Sequence, residues 1–487
     1  MERHPMFRPA GLLGRVSVRR LLVALALLCV GPAQAQQFSA GELEARAIHR
    51  RAVEAVIWGM PAVNTELMRQ EMLTKTSGKV HQFIYWGRPL DWRNQTLTPN
   101  PDAIYFMTFF NTKDAGPIVL EVPPGDVKGS LNGNIVTAWQ TSLEDVGLLG
   151  LDKGAGGKFV ILPPGFKDRY PEGYIALPSD TYGGYALLRS NLKSHSDADV
   201  AAAIAYGKRA KIYPLSMAAN PPETVFTDVK DVNYDSTIRY DVSFFRALDR
   251  AVQSEPWIER DRAMIDQLRT IGIEKGKPFA PNEATQKILS AAIGEAKALL
   301  ERRYEAGFPP FWTTGHWTMP TPPEAIDAQS TTYADKDRYA VDARGVAYSY
   351  AYIAIKHLGA GQFYLISIHD KEGRPYDGAR LYRLTVPPNV PVEQYWSVTA
   401  YDRETHALIR NMARASRSSQ IAELQKNADS SIDIYFGPQA PLGKESNWVP
   451  TDPQRGFELM FRLYAPKPAF FDKVWRLPDV EPVVAAR

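Results

Sequence analysis

Hydrophobic and polar positions change their period three times along the chain. An opening stretch, GELEARAIHRRAVEAVIWG (Gly41 to Gly59), has helical spacing. Short runs rich in Val, Ile, Tyr and Phe follow, separated by Pro, Gly and Asn: AIYFMTFF, PIVLEVPP, NIVTAWQ and KFVILPPG. Strand-length runs between turn residues predict an antiparallel sheet region rather than alternating β/α units. From Ser196 the period becomes helical. SDADVAAAIAYGKRAKIYPL carries a Ser/Asp cap, an alanine-rich body and a proline stop. FFRALDRAVQ, ERDRAMIDQLRTIG and PNEATQKILSAAIGEAKALLERRYEA extend the helical reading to about Ala306, the last with Ile288, Ala292 and Leu299 on one stripe.

Beyond His316 the strands return as QFYLISIHD, ARLYRLTVPP, QYWSVTAYD, SIDIYFGP and GFELMFRLYAP. In QYWSVTAY the strand alternation sets Trp396, Val398 and Ala400 on one face and Ser397, Thr399 and Tyr401 on the other. The pattern predicts a mainly β fold with a helical segment: two antiparallel β-sandwich domains, jelly-roll-like, joined by helices. The boundaries it implies are 36–195 for an N-terminal β domain with its opening helix, 196–310 for the helical segment and 311–487 for the C-terminal sandwich.

The first thirty-five residues read differently. Arg15, Arg19 and Arg20 precede the apolar run LLVALALLCVG, too short to span a bilayer, and AQA (Ala33 to Ala35) supplies small residues for cleavage. A signal peptide over 1–35 predicts a periplasmic or secreted protein, by general or twin-arginine export. Its removal takes away five arginines and one glutamate, so 57 basic and 54 acidic residues become 52 and 53, a net charge of −1. That balance offers no basic footprint for nucleic acid. No later apolar run reaches the ~18 residues of a membrane span. Cys29, the single cysteine, lies in the same segment, which removes disulfides and thiolate ligands from the mature chain.

Local catalytic motifs are few. No H-E-x-x-H and no G-x-S-x-G occurs, and GAGGK (Gly154 to Lys158) lacks the Ser or Thr of a phosphate loop, Phe159 standing in its place. No dinucleotide fingerprint follows a strand into a helix. The candidates therefore come from separate strands. Asp102, in NPDAIYF, reads first as a turn residue and second as an acid at a sheet rim, with Tyr105 beside it as proton donor or stacking surface. Trp139 lies on a strand with Glu144 and Asp145 just beyond its end, which read as capping or solvated acids, as a cation ligand beside a cap, or as catalytic acid/base groups. His369 and Asp370 end a strand and, with His316, make a candidate metal set; His369 is also a candidate base. Asn447 and Trp448 form a polar–aromatic pair suited to a ligand cleft.

NPDAIYF, NIVTAWQTSLEDVG, GGKFVILPPGF, the long block from His357 to Asp402 and NWVPTDPQRGFELMFRLYAP resemble the bacterial family that pairs domain of unknown function 1254 with domain of unknown function 1214. Ser430, in NADSS, stands where that family usually has glycine. The resemblance implies an exported protein with two mainly β domains and names no reaction. From the residues themselves we expect a hydrolase-like enzyme acting on a small organic or carbohydrate substrate, optionally through a divalent metal with N/O ligands. The alternatives are a non-catalytic module binding a glycan or apolar ligand, and an envelope-structural protein; an oligomer is compatible with each. Convergence of carboxylate and histidine favours the enzyme, and an aromatic-lined cleft without such groups favours the binder.

Overall fold

The computed structural model describes residues 38–351, 356–357 and 361–483; the export segment read at 1–35 lies outside them. Two compact units divide the chain at Ala47/Ile48. In the first, Ser39 and Glu42 make a reciprocal capping box: the Glu42 amide donates to Ser39 Oγ, and the Ser39 amide donates to the Glu42 carboxylate. The Arg46 guanidinium lies over the Phe38 ring at 4.4 Å.

That box starts the helix Ala40–Lys75, which continues well past the expected stop at Gly59. Ala52 to Val63 are buried in all but one position, as in a helix enclosed on every side. Gly59 is a packing glycine: a Cβ there would meet Leu248 Cδ1 at 2.8 Å. Pro61 lies inside the helix, and its carbonyl accepts from Thr65 Oγ1 at 3.1 Å.

The second unit carries two pairs of larger sheets. In the N-terminal half a six-stranded sheet runs in the order Phe226–Asp228, Phe83–Tyr85, Ala103–Asn111, Gly183–Asn191, Leu131–Thr137, Ser142–Val146. A four-stranded sheet beside it orders Lys211–Pro214, Ile118–Val122, Gly157–Leu162, Tyr174–Pro178, and one hydrophobic cluster takes Phe106 and Ile135 from the first and Leu120 and Phe159 from the second. In the C-terminal half Gln362–Ser367, Gly456–Tyr464, Trp396–Asp402 and Ser416–Ser418 form one sheet, with Tyr376–Asp377 also on Gly456–Tyr464. Trp448–Pro450, Ile432–Gly437, Tyr382–Val386 and Glu481–Pro482 form the other, and Leu365, Val398, Leu384 and Phe436 share the core of both.

The expectation of a mainly β, antiparallel fold needs correction to mixed α/β, with 27% helix and 26% strand. Several pairs are parallel, among them Phe83–Tyr85 with Phe226–Asp228 and Gly157–Leu162 with Tyr174–Pro178. The helices Asp197–Gly207, Ser243–Ser254, Met264–Thr270 and Glu283–Glu305 lie where the period placed them. Pro323–Ser330 and Val341–Tyr350 do not; they fall where strands were expected to return. Among the described residues no helix is long and apolar enough to cross a membrane.

Candidate functional site

The strand Trp396–Asp402 is buried on both faces, which explains how a site arises beneath it. Trp396, Val398 and Ala400 enter the C-terminal core, as the alternation predicts. The opposite face, with Thr399 and Tyr401, meets Arg462 from the neighbouring strand Gly456–Tyr464. Leu459, Phe461 and Leu463 of that neighbour go to the core, leaving Met460 and Arg462 to face a cavity of about 150 Å³. Tyr105 and Arg189, paired in register on the N-terminal strands Ala103–Asn111 and Gly183–Asn191, supply a second wall. The third wall is helical, with Ile326 and Gln329 from Pro323–Ser330 and Arg344, Ala347 and Tyr348 from Val341–Tyr350.

Three arginines thus reach one cavity. Arg462 is 2% exposed and held by neutral groups, donating to Thr399 Oγ1 at 3.0 Å, the Thr98 carbonyl at 2.9 Å and the Tyr401 hydroxyl at 2.5 Å. Its Nε–H finds no acceptor among the described residues. Arg344, also 2% exposed, donates to the Trp139 carbonyl at 2.9 Å and to the Tyr339 hydroxyl, with Tyr333 stacked at 4.6 Å. Its Nε–H is likewise without an acceptor among the described residues. Arg189 Nε lies 3.4 Å from the Tyr105 hydroxyl, with the guanidinium 5.3 Å from that ring's centroid. No Asp, Glu or His lines the cavity among the described residues. Burying a cation costs several kcal/mol of lost hydration unless an anion or strong acceptors replace the water. Three in one place make this cavity the candidate site.

Of the sequence candidates, Tyr105 is at this cavity; its hydroxyl accepts the Asn100 amide at 2.8 Å. Asp102 is fully buried next to it but outside the wall. The Asx turn is made by Asn100, whose Oδ1 accepts the Asp102 amide at 3.0 Å. The Asp102 carboxylate accepts from Ser416 Oγ at 3.1 Å and lies 3.3 Å from His195 Nε2. Burial alone would lower the His195 pKa, but the hydrogen bond and charge of Asp102 outweigh it and hold it above the ordinary value.

Glu144 and Asp145 are both buried and are brought together with Lys356 and His357. Glu144 pairs with Lys356 Nζ at 3.2 Å and His357 Nε2 at 3.0 Å, while Asp145 accepts both of those residues' amides. Burial raises the Asp145 pKa against these hydrogen bonds. Asp145 lines a neighbouring depression of about 320 Å³ that shares Asn134 and Gln362 with the arginine cavity. Trp139 packs on Trp58 with centroids 4.4 Å apart, so only its carbonyl serves the site.

The remaining candidates lie elsewhere. His316 and His369 approach with ring centroids 6.1 Å apart, and the His369 pKa is lowered by burial and by His316. Asp370 does not join them: its carboxylate caps its own turn through the Glu372 and Arg374 amides and pairs with the Arg374 guanidinium. Among the described residues no group of three or more His, Cys, Asp or Glu is placed to hold a metal ion. Asn447 is buried in a loop lock with Gln425 and Asp433, and Trp448 donates its indole N–H to the Gly437 carbonyl. They form no cleft with the residues above.

Sequence reasoning missed Arg189, Arg344 and Arg462. For Arg462 a signal exists: in FELMFRLY a guanidinium interrupts a run that is otherwise almost wholly apolar. Arg344 had none, since its helix was itself not expected.

These features define a mixed α/β protein whose two sheet-bearing halves, with two short helices, enclose a cationic cavity. Residues 80–214 match the family described as Protein of unknown function (DUF1254), and residues 361–468 match Protein of unknown function (DUF1214). The two matches stand in this order from N- to C-terminus. Comparison with curated proteins finds no match. Among solved structures, the VPA0106 protein of Vibrio parahaemolyticus is similar in fold at 17% identity and a TM-score of 0.55, over 90% of this chain and 100% of that one. An uncharacterised protein of Burkholderia cenocepacia aligns at 11% identity and a TM-score of 0.39, over 91% of this chain and 95% of that one.

Proposed function

We propose that the protein binds a small organic anion in the arginine cavity, as a binding module rather than a hydrolase, and that it does so after export to the periplasm or beyond. The observation that carries this reading is the wall itself: Arg189, Arg344 and Arg462 without a carboxylate or imidazole among the described lining residues. A hydrolytic site built on Asp102, Glu144, Asp145 or His369 would need one of them at the cavity, and none lines it. Guanidinium is permanently charged and presents forked donors that match a carboxylate. Apolar lining from Met319, Ile326, Phe363 and Met460 suits an organic body behind the acid group. The volume favours a compact molecule over a glycan chain. We read each half as a two-sheet sandwich, supported by the cores its sheets share, and this would give the cavity stiff walls.

A thermal-shift comparison of benzoate with benzamide, its neutral counterpart of equal shape, tests the reading. Millimolar benzoate is expected to raise the unfolding temperature and benzamide to leave it unchanged. Equal effects from the two, or none from either, would overturn it.

A further inference from the structure

Resting on that acid-binding reading, we propose that the ligand is a hydroxylated acid. Its acid part lies in the arginine cavity, and its hydroxyl-bearing part reaches past Asn134 and Gln362 into the neighbouring depression of about 320 Å³. Register on the six-stranded sheet sets the two spaces side by side. Tyr105, Arg189 and Asn132 are partners in one row across three strands, and Leu187, Asn134 and Asp145 are partners in the next. Tyr105 and Arg189 line the cavity, Asn132 lines the depression, and Asn134 lines both. Adjacent strands lie about 4.8 Å apart, so one small molecule can touch both Arg189 and Asn132.

Strand alternation turns Leu131 and Ile135 into the N-terminal core and leaves Asn132 and Asn134 on the opposite face. There Asn132 Nδ2 lies 3.5 Å from Gln362 Oε1, the outer limit of a hydrogen bond. Asn134 and Gln362 are the lining residues that both spaces share, so the partition between them is two amide side chains, one of them loosely held.

The two spaces ask for opposite chemistry. In the cavity the unpartnered atoms among the described residues include the Nε–H donors of Arg344 and Arg462. In the depression they are acceptors, Asn132 Oδ1 and Asn134 Oδ1. Asn134 is 2% exposed, and its amide is fixed in orientation: Nδ2 donates to Asp145 Oδ1 at 2.6 Å, an oxygen that also accepts the Lys356 amide. A buried amide oxygen without a donor is costly, and a carboxylate, which only accepts, cannot relieve it. The carboxylates nearby do not call for a cation. Asp145 accepts the Lys356 and His357 amides, and Asp152 Oδ1 accepts the Gly147 amide at 2.9 Å. The missing partner is a neutral donor. A hydroxyl, which donates and accepts, suits the amide lining of Asn132, Asn134, Gln362 and Gln394.

Calorimetric titration of the wild-type protein with benzoate, the β-glucoside of 4-hydroxybenzoate, its cyclohexyl ether and its aminoethyl ether tests this. The glucoside and the cyclohexyl ether are alike in size and differ in hydroxyls. The glucoside is expected to bind about tenfold tighter than benzoate, one well-made polar contact being worth roughly that factor, and the cyclohexyl ether no tighter than benzoate. Asn132→Ala, at a half-buried position, is expected to cost the glucoside about tenfold and leave benzoate within about threefold. A glucoside no tighter than benzoate, or a cyclohexyl ether gaining as much as the glucoside, would overturn the proposal. So would a glucoside untouched by Asn132→Ala. An aminoethyl ether tighter than the glucoside would make the depression a cation site and overturn it too. Failure of benzoate itself to bind would overturn the acid-binding reading, an outcome distinct from benzoate binding with no gain from the sugar.

Discussion

Ser430 sits at φ +68° in the turn Asn427–Ser431, closed by the Ser430 amide on the Asn427 carbonyl at 2.9 Å. The family resemblance puts glycine at this place, and the backbone shows why: the turn keeps the left-handed conformation that glycine adopts without penalty. A side chain there costs about 1 kcal/mol. Ser430→Gly should therefore stabilise the protein by about that amount, read as a higher urea midpoint at unchanged slope. Ser430 is exposed, so no buried contact is lost. Asp102 shows how far single residues were legible. The turn at NPDAIY was readable, because proline and Asx residues act locally. That Asn100 rather than Asp102 would make it, and that the freed carboxylate would meet His195 and Ser416, depends on chain segments far away in sequence. No local rule reaches that distance.

At the level of elements, the strands with clean apolar runs were readable: Ala103–Asn111, Ile118–Val122, Trp396–Asp402 and Gly456–Tyr464 all lie within the predicted runs, to a residue or two at their ends. The helices Pro323–Ser330 and Val341–Tyr350 were not. Each is short and starts after a residue with no side-chain cap, and the second mixes Tyr, Gly and Ser with alanine, so intrinsic propensity is weak. They are helical because the cavity and core demand it. Gln329 fixes the first by accepting the Ser142 amide at 3.1 Å and donating to the Gln140 carbonyl at 3.0 Å and the Tyr348 hydroxyl at 2.9 Å. Gly345 in the second lies against Ile57, where a Cβ would come within 2.8 Å of Cγ2. Helices held by contacts rather than propensity should respond to whatever fills the space beside them. Saturating benzoate is expected to slow amide hydrogen exchange in both helices, with the strand Ile432–Gly437, remote from the cavity wall, unchanged. Uniform slowing, or none, would contradict their role as the cavity wall.

Across the whole molecule, the halves that the sequence separates are tied by buried polar contacts. Tyr401 donates to the Pro99 carbonyl at 2.6 Å, Asn100 Nδ2 to the Tyr464 hydroxyl at 2.6 Å, and Gln95 Nε2 to the Leu408 carbonyl at 2.8 Å. A second knot joins the helix Glu283–Glu305 to the C-terminal sheet: His406 Nδ1 lies 2.9 Å from Glu458, Tyr304 donates to Glu458 at 2.6 Å, and Arg403 pairs with Glu301 at 2.9 Å. Burial would lower the His406 pKa, but the charge of Glu458 and the hydrogen bonds that the ring donates to both glutamates raise it from 6.5 to about 9. A raised folded-state value stabilises fully below the unfolded pKa and loses that contribution as pH climbs through the folded one. The unfolding temperature should thus fall between pH 6.5 and about 9, and His406→Gln should remove most of that slope. Glu301 moves the other way, to about 2, mainly because hydrogen bonding and charge from His406 and Arg403 outweigh its burial. Its contribution is present above its ordinary 4.5 and lost as pH falls through about 2.

The central claim is that an organic acid enters the arginine cavity with its carboxylate against the guanidinium groups of its wall. Crystals soaked with 4-bromobenzoate, measured at the bromine absorption edge, test it most directly. The account predicts an anomalous peak inside the cavity against its apolar lining of Met319, Ile326 and Met460, with the carboxylate density at Arg189, Arg344 or Arg462. A bromine peak confined to any other place, or a cavity still empty at saturating ligand, would contradict it.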